Sequence, residues 1–255
     1  MKTIRDMGSS FVLALMWFTR IPLPIRLPNA AALQQQSLAW LPLVGALVAG
    51  ILWIPIALPL AWPLPIRVLL ALALSLCVTG ALHEDGWADG WDALGSGGDT
   101  NKLLKILKDP RLGTFGVSAL LINLGLQGFG LFFLAKHHGF WLLLAAQTAS
   151  RYPLALIAWT QPYLRREGEG KSTFLRQPVR AWAWILWSLW IPGFFILCVT
   201  QGPRMVAVVL LSLLTPLLTI YPWKRLLGGV TGDLFGFCQQ SGLLAGLLAA
   251  CWGLP

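Results

Sequence analysis

Residues 41–60 read Leu41-Pro42-Leu43-Val44-Gly45-Ala46-Leu47-Val48-Ala49-Gly50-Ile51-Leu52-Trp53-Ile54-Pro55-Ile56-Ala57-Leu58-Pro59-Leu60, a run without one charged side chain. A helix needs roughly 17–25 residues to cross a hydrocarbon layer about 30 Å thick, so this run is long enough. A helix on the surface of a soluble core would carry polar residues at a helical period, and none occur here. Six further apolar segments follow, at about 66–82, 115–135, 139–160, 182–200, 204–222 and 241–254, the last being the shortest. The chain is 56% apolar and 11% charged, against averages of about 45–50% and 25% in soluble domains. Too few charges remain to cover a water-soluble surface. The expected fold is all-α: one integral membrane domain over residues 1–255, with about seven spans.

Residues 8–18 form an eighth apolar stretch, too short to span and followed by Pro22 and Pro24, and are expected to form a short interfacial or re-entrant helix. Lys2 and Arg5 before it faintly resemble a signal peptide, but Thr19-Arg20-Ile21-Pro22 offers no small-residue cleavage site. The segment is expected to stay in the mature chain. No internal repeat or low-complexity tract divides the sequence.

The net charge of +9 could suggest nucleic-acid binding, but Lys and Arg also accumulate in cytoplasmic loops through insertion topology. Placing the N-terminus and the loops at about 83–114, 161–181 and 223–240 on one side puts fifteen Lys and Arg there, against Arg67, Lys136 and Arg204 on the other. Arg151 falls near the middle of a segment. The asymmetry predicts that the N-terminus and long loops lie in the cytoplasm, and no nucleic-acid partner is expected. Cys77, Cys198, Cys238 and Cys251 show no Cys-x-x-Cys spacing, so neither a disulfide framework nor a zinc site is suggested.

Six of the ten acidic residues fall between Glu84 and Asp109. In Leu82-His83-Glu84-Asp85-Gly86-Trp87-Ala88-Asp89-Gly90-Trp91-Asp92, a helix places Asp85, Asp89 and Asp92 at i, i+4 and i+7 on one face. Clustered carboxylates repel one another unless a cation compensates, and hard oxygen ligands suit Mg²⁺ or Mn²⁺ carrying substrate phosphates. Glu84 points elsewhere on such a helix and joins only through a distortion at Gly86. The candidate metal set is therefore Glu84, Asp85, Asp89 and Asp92, with a solvated acidic helix end as the competing reading. His83 is either a base or ligand, or simply hydrogen-bonded.

The same loop then turns basic through Lys102, Lys105 and Lys108, followed by Asp109-Pro110-Arg111-Leu112-Gly113-Thr114-Phe115-Gly116. Cations beside a carboxylate–metal site are what a diphosphate needs for neutralisation, although they also serve topology. Arg151 is costly inside hydrocarbon, so it is either functional or the partner of a buried acid. Arg165-Arg166-Glu167-Gly168-Glu169-Gly170-Lys171-Ser172-Thr173 ends like a Walker A motif, but Arg165 stands where the first Gly belongs and no strand precedes it, which excludes a P-loop. A basic phosphate-contacting loop stays open. Gly228-Gly229-Val230-Thr231-Gly232-Asp233 delivers a carboxylate that completes the metal site, acts as general base or caps a helix.

Together these blocks resemble the cobalamin synthase family, the adenosylcobinamide-GDP ribazoletransferases. Phe18-Thr19-Arg20-Ile21-Pro22 is similar to its N-terminal signature and Leu41-Pro42-Leu43-Val44-Gly45 to the start of its first span. Leu82–Asp92 resembles its acidic motif, Lys108–Gly116 its lysine–aspartate–arginine block, and Thr231-Gly232-Asp233 its C-terminal motif. Trp87, Gly90 and Trp91 depart from the acidic motif, and Phe237 and Gln240 stand where the family commonly has a small and then an acidic residue. The resemblance implies that a GDP-activated cobinamide reacts with α-ribazole or its 5′-phosphate, releasing GMP. It implies Asp89, Asp109, Asp233 and Lys108 as catalytic residues and Arg20 and Arg111 as substrate-binding ones, to which the intramembrane Arg151 and the basic-loop Arg165 are added as substrate-binding candidates. Mg²⁺ on the carboxylates would bridge the diphosphate, and Asp109 or Asp233 would take the hydroxyl proton.

Two rivals differ in specific ways. CDP-alcohol phosphotransferases share the chemical logic, but their signature carries an Ala-Arg that Asp85-Gly86-Trp87-Ala88-Asp89 lacks. An ion or solute transporter would hold its acids near the membrane midplane, whereas these lie at the edge of a segment.

Overall fold

A computed structural model describes residues 2–27, 30–59, 61–164 and 178–254. Arg165 and the Walker-like stretch after it lie outside the described residues. The helices are α1 (Lys2–Phe18), α2 (Ala30–Ser37), α3 (Leu41–Ala57), α4 (Leu64–Thr79), α5 (Leu82–Ser96), α6 (Thr100–Ile106) and α7 (Thr114–Lys136). They continue as α8 (Phe140–Ala149), α9 (Tyr152–Thr160), α10 (Ala181–Ser188), α11 (Trp190–Gln201), α12 (Pro203–Leu227) and α13 (Gly232–Cys251). The architecture is an all-α, polytopic transmembrane bundle.

Five uninterrupted stretches have the length and composition of a span: Ala30–Ala57, Thr114–Lys136, Ala181–Gln201, Pro203–Leu227 and Gly232–Cys251. A sixth is the pair Leu64–Thr79 and Leu82–Ser96, bent by 89°. Two of the seven apolar segments are thus interrupted, and each interruption has a local cause. Gly80 and Ala81 at the α4–α5 bend both adopt the left-handed conformation, with φ of 64° and 54°. That conformation is natural for Gly and costs Ala roughly 1–2 kcal/mol, so the surroundings must enforce it. The Arg20 side chain lies directly over Gly80, where a Cβ would meet its Nε at 2.3 Å, and the Arg20 amide donates to the Val78 carbonyl at 2.6 Å.

The 139–160 segment breaks between α8 and α9 at Ser150 and Arg151. Pro153, in the first turn of α9, has no N–H to continue the preceding helix. The buried Arg151 side chain turns back to donate to the carbonyl of Gln147 at 3.0 Å. The N-terminal apolar stretch extends beyond its expected bounds into α1, because Thr3, Ile4 and Arg5 continue the helix as an exposed turn. Trp40 anchors α1 by donating from Nε1 to Ser10 Oγ at 2.9 Å. Arg67, expected opposite the basic loops, donates to the carbonyls of Pro55, Ile56 and Leu58. It thereby closes the end of α3, whose last carbonyls lack intrahelical donors.

Spanning helices gain little from hydrophobic exclusion among lipid tails, so close packing at small residues holds them together. In α13, a Cβ on Gly242 would stand 2.8 Å from the Ser212 carbonyl oxygen, and one on Gly246 2.1 Å from Ser212 Oγ. Gly125, in α7, faces open space. Gly246→Ala is therefore expected to lower the thermal midpoint in detergent by an overpacking cost of about 1–3 kcal/mol. Gly125→Ala should leave it unchanged or raised, and equal midpoints for the two would refute this account of the packing.

Candidate active site

Helix α5 crosses α13 at a point where neither helix has a side chain. The Cα atoms of Gly86 and Gly236 face one another, and a Cβ at Gly86 would stand 2.2 Å from the Asp233 carbonyl oxygen. A Cβ at Gly236 would stand 2.9 Å from that of His83. Backbone contact at this crossing brings Asp85 and Asp89 beside Asp233 in the first turn of α13. Asp233 Oδ2 accepts from Thr231 Oγ1 at 3.4 Å. The preceding loop is pinned by a short parallel bridge, Val230 N–H to Pro162 O at 2.8 Å and Leu164 N–H to Val230 O at 3.0 Å.

The basic part of the loop is fastened separately. Asp99 caps α6 by accepting from the Lys102 amide at 2.9 Å, as short polar N-cap residues do. Leu103 and Leu107 are buried beneath it, and Thr100 Oγ1 donates to the Leu226 carbonyl at 2.8 Å, at the end of α12. These anchors deliver Lys108 and Asp109 to the acidic helix. One cavity of about 560 Å³ is lined by Asp85, Asp89, Leu107, Lys108, Asp109, Pro110, Leu112 and Asp233.

The four acids of α5 do not share one surrounding. Asp85 and Asp89 line the cavity. Asp92 is buried and spends both oxygens on the start of α7, accepting from the Gly113 amide at 2.6 Å and the Gly116 amide at 2.7 Å. Those amides are among the donors a helix start leaves unpaired, and the helix dipole favours a negative charge there. The stacking of Asp85, Asp89 and Asp92 on one face thus does not gather all three, because α7 claims the last. Glu84 is buried on another face and accepts from Gln240 Nε2 at 2.9 Å, with no distortion of the helix at Gly86. His83 is buried against Phe18, its ring stacked with centroids 6.5 Å apart, and is not in the cavity lining.

Asp109 and Arg111 form a bidentate pair, with Nε to Oδ1 at 2.9 Å and Nη2 to Oδ2 at 2.7 Å, and the Arg111 amide also donates to Oδ1. The guanidinium and then the amide of Arg111 hold the Asp109 carboxyl at about 2, against an ordinary 3.8. So weak a base holds a proton poorly near neutral pH. Asp109 instead fixes Arg111, whose side chain is 86% exposed beside the cavity. Of the other cations, Lys108 lines the cavity, Arg20 covers the α4–α5 bend, and Arg151 lies buried at the α8–α9 break.

Among the described residues, no three His, Cys, Asp or Glu side chains converge as a ready-made metal cluster. Asp85, Asp89 and Asp233 nevertheless offer oxygen donors from two helices to one cavity. Such a set suits a hard cation that keeps waters and binds substrate phosphates.

The profile described as cobalamin-5-phosphate synthase matches residues 10–251. The chain belongs to the cobalamin-5-phosphate synthase family. Curated relatives of this family member include the adenosylcobinamide-GDP ribazoletransferase of Pseudomonas entomophila, 37% identical over 84% of this chain and 87% of that one. Those of Shewanella amazonensis and Leptothrix cholodnii are 33% and 32% identical, over 94% and 95% of this chain and 94% and 96% of their own. No solved structure matches the chain.

Trp87, Gly90, Trp91 and Phe237 meet beside the glycine crossing. The Phe237 ring stacks on Trp87 with centroids 5.1 Å apart and lies 6.0 Å from Trp91. Gly90 leaves the space it fills, since a Cβ there would meet Phe237 Cδ2 at 2.3 Å. The i, i+3 and i+4 spacing of Trp87, Gly90 and Trp91 is the signal in the sequence that they share a face of α5.

Because its folded pKa is depressed, Asp109 contributes stability that is fully present above pH 3.8 and is lost as pH falls through about 2. In Arg111→Gln, the Asp109 carboxyl is expected to titrate near 3.8 rather than about 2. Carbon-13 NMR of labelled aspartates reads this directly, and an unshifted titration would show that Arg111 is not the cause.

Proposed function

We propose that this chain is a membrane-bound transferase that joins a GDP-activated cobinamide to α-ribazole or α-ribazole 5′-phosphate and releases GMP. Family membership and the names of its relatives support the reaction. The cavity itself supplies the observation that carries the chemistry. Among the described residues, its lining holds Asp85, Asp89, Asp109 and Asp233 together with Lys108, and Arg111 pairs with Asp109 from beside it. A site so rich in negative charge repels a diphosphate unless a cation accompanies it.

Asp85 and Asp89 would hold that cation, Mg²⁺ or in its place Mn²⁺, and Asp233 would stay off the ion. When bound, the ion polarises phosphoryl oxygens and offsets the charge of the leaving group. Asp92 and Glu84 support the helix that carries the first two carboxylates rather than serving as ligands. Lys108 and Arg111 steady nonbridging oxygens. The 3′-hydroxyl of the ribazole forms a bond to the phosphorus nearer the corrinoid as the bond to GMP breaks. Asp233 is the better acceptor for the hydroxyl proton, because Asp109 is committed to Arg111. Arg20 and Arg151 contribute through the bend and the broken span, while Arg165, a substrate-binding candidate, lies outside the described residues. The whole chain acts as one domain in the bacterial inner membrane, with the N-terminus and the three loops on the cytoplasmic side, where the nucleotide substrates are found.

Asp89→Asn is expected to lower GMP release from GDP-cobinamide and α-ribazole phosphate on the order of a hundredfold or more. Its elution and helical content in detergent should match the parent. Full activity in that variant would remove Asp89 from the chemistry. CMP release from a CDP-alcohol and a lipid acceptor would instead favour the phospholipid-synthase reading, and Asp89-dependent cation flux in proteoliposomes the transporter reading.

A further inference from the structure

Glu84 sits next to Asp85 in sequence yet points into the bundle, where it ends a chain of buried side-chain hydrogen bonds. Gln240 Nε2, on α13, donates to Glu84 Oε1 at 2.9 Å. Gln240 Oε1 in turn accepts from two residues of α7, Asn123 Nδ2 at 3.1 Å and Gln127 Nε2 at 3.0 Å. Gln127 Nε2 also reaches Asn123 Oδ1 at 2.9 Å. All four residues are buried, and they tie α5, α7 and α13 together beneath the cavity.

A hydrogen bond in such surroundings constrains direction in a way that apolar packing does not, because an unpaired buried polar group is costly. The Gly86–Gly236 crossing fixes how near α5 lies to α13, but two glycine surfaces leave rotation about the α5 axis unrestrained. Asp92 on the Gly113 and Gly116 amides restrains the far end. Near the other end, Glu84 is about 100° from Asp85 around a helix of 3.6 residues per turn, so fixing Glu84 fixes where Asp85 and Asp89 point.

We propose that Glu84 and Gln240 are positioning residues, which set the rotation of α5 and thereby aim Asp85 and Asp89 into the cavity. This rests on the reading that Asp85 and Asp89 hold a divalent ion with the substrate diphosphate. The carboxylate of Glu84 contributes as one end of a hydrogen bond and not as a ligand.

An exchange of the two side chains separates these roles. In the double variant Glu84→Gln with Gln240→Glu, the amide at 84 donates to one carboxylate oxygen at 240 while the other accepts from Asn123 and Gln127. The bond is kept with its direction reversed, and the carboxylate moves to α13. Glu84→Leu and Gln240→Leu each break it. GMP release is measured for all four proteins over a range of Mg²⁺ concentrations, with detergent elution as the check on folding.

Each Leu variant is expected to raise the Mg²⁺ needed for half-maximal activity by about ten- to a hundredfold, the usual effect of losing a group that orients a ligand. The exchanged pair should return to within about threefold of the parent, inside the spread that context gives one hydrogen bond. If a Leu variant fails to fold, Glu84→Gln alone replaces it and should retain most activity, because the acceptor at Oε1 remains. An exchanged pair as impaired as Glu84→Leu would overturn the proposal by showing that position 84 itself needs a carboxylate. Unchanged Mg²⁺ dependence in folded Leu variants would overturn it as well. Parent activity indifferent to Mg²⁺ would instead sink the metal reading, while the rescue by exchange would still report on positioning.

Discussion

Two helix backbones touch at Gly86 and Gly236, and most of what the cavity contains follows from that contact. A side chain at either position would collide with main-chain atoms, which cannot move aside as a flexible side chain can. The approach lets the start of α13 reach α5, so Asp233, far away in sequence, lines the same cavity as Asp85 and Asp89. The sharp bend after α4 is the other half of the arrangement. It turns the acidic segment out of line with the span before it, so that Asp92 meets the start of α7 and Gly86 the start of α13.

Within that frame, neighbouring carboxylates serve different ends because each meets a different element. Asp92 meets a helix start and neutralises its exposed amides. Glu84 meets an amide side chain between spans. Asp85 and Asp89 open onto the cavity. Asp109 meets Arg111 two residues away, which lowers its basicity while it holds a cation beside the cavity. Identical chemistry along the chain becomes division of labour once the packing partners are fixed.

The parts of this arrangement that depend on local order were legible in the sequence. Runs of apolar residues marked the spans, since each must be hydrophobic along its whole length. The i, i+4 spacing of Asp85 and Asp89 placed them on one face, and the run from Lys108 to Gly116 identified the basic neighbour. What failed to show was whatever depends on a distant partner. Asp92 looks like a third ligand until Gly113 and Gly116 arrive from α7. Gly86 looks like a flexible point in a helix until Gly236 explains it as a contact. Asn123 and Gln127 sit in an apolar segment as isolated polar residues, and only Gln240 gives them a common purpose. The interruption of the 139–160 segment was signalled by Arg151 and Pro153, although length and hydropathy alone read through it.

The aromatic group shows how bulk on one helix is accommodated by its absence on the other. Trp87 is anchored from Nε1 to the Ala119 carbonyl at 3.1 Å, so its ring cannot retreat toward α7. Phe237 stacks against it from α13, and Trp223 of α12 meets Phe237 edge-on with centroids 5.7 Å apart. A ring of that size beside the glycine crossing requires room on α5, which Gly90 leaves by having no side chain. Enlarging position 237 alone would push α13 away and separate Asp233 from Asp85 and Asp89. With Gly90 in place the added volume is taken up within the interface, and the contact between Gly86 and Gly236 is preserved. Bulk at one position and its absence at the other are therefore a single adjustment, and the carboxylates in the cavity stay together because of it.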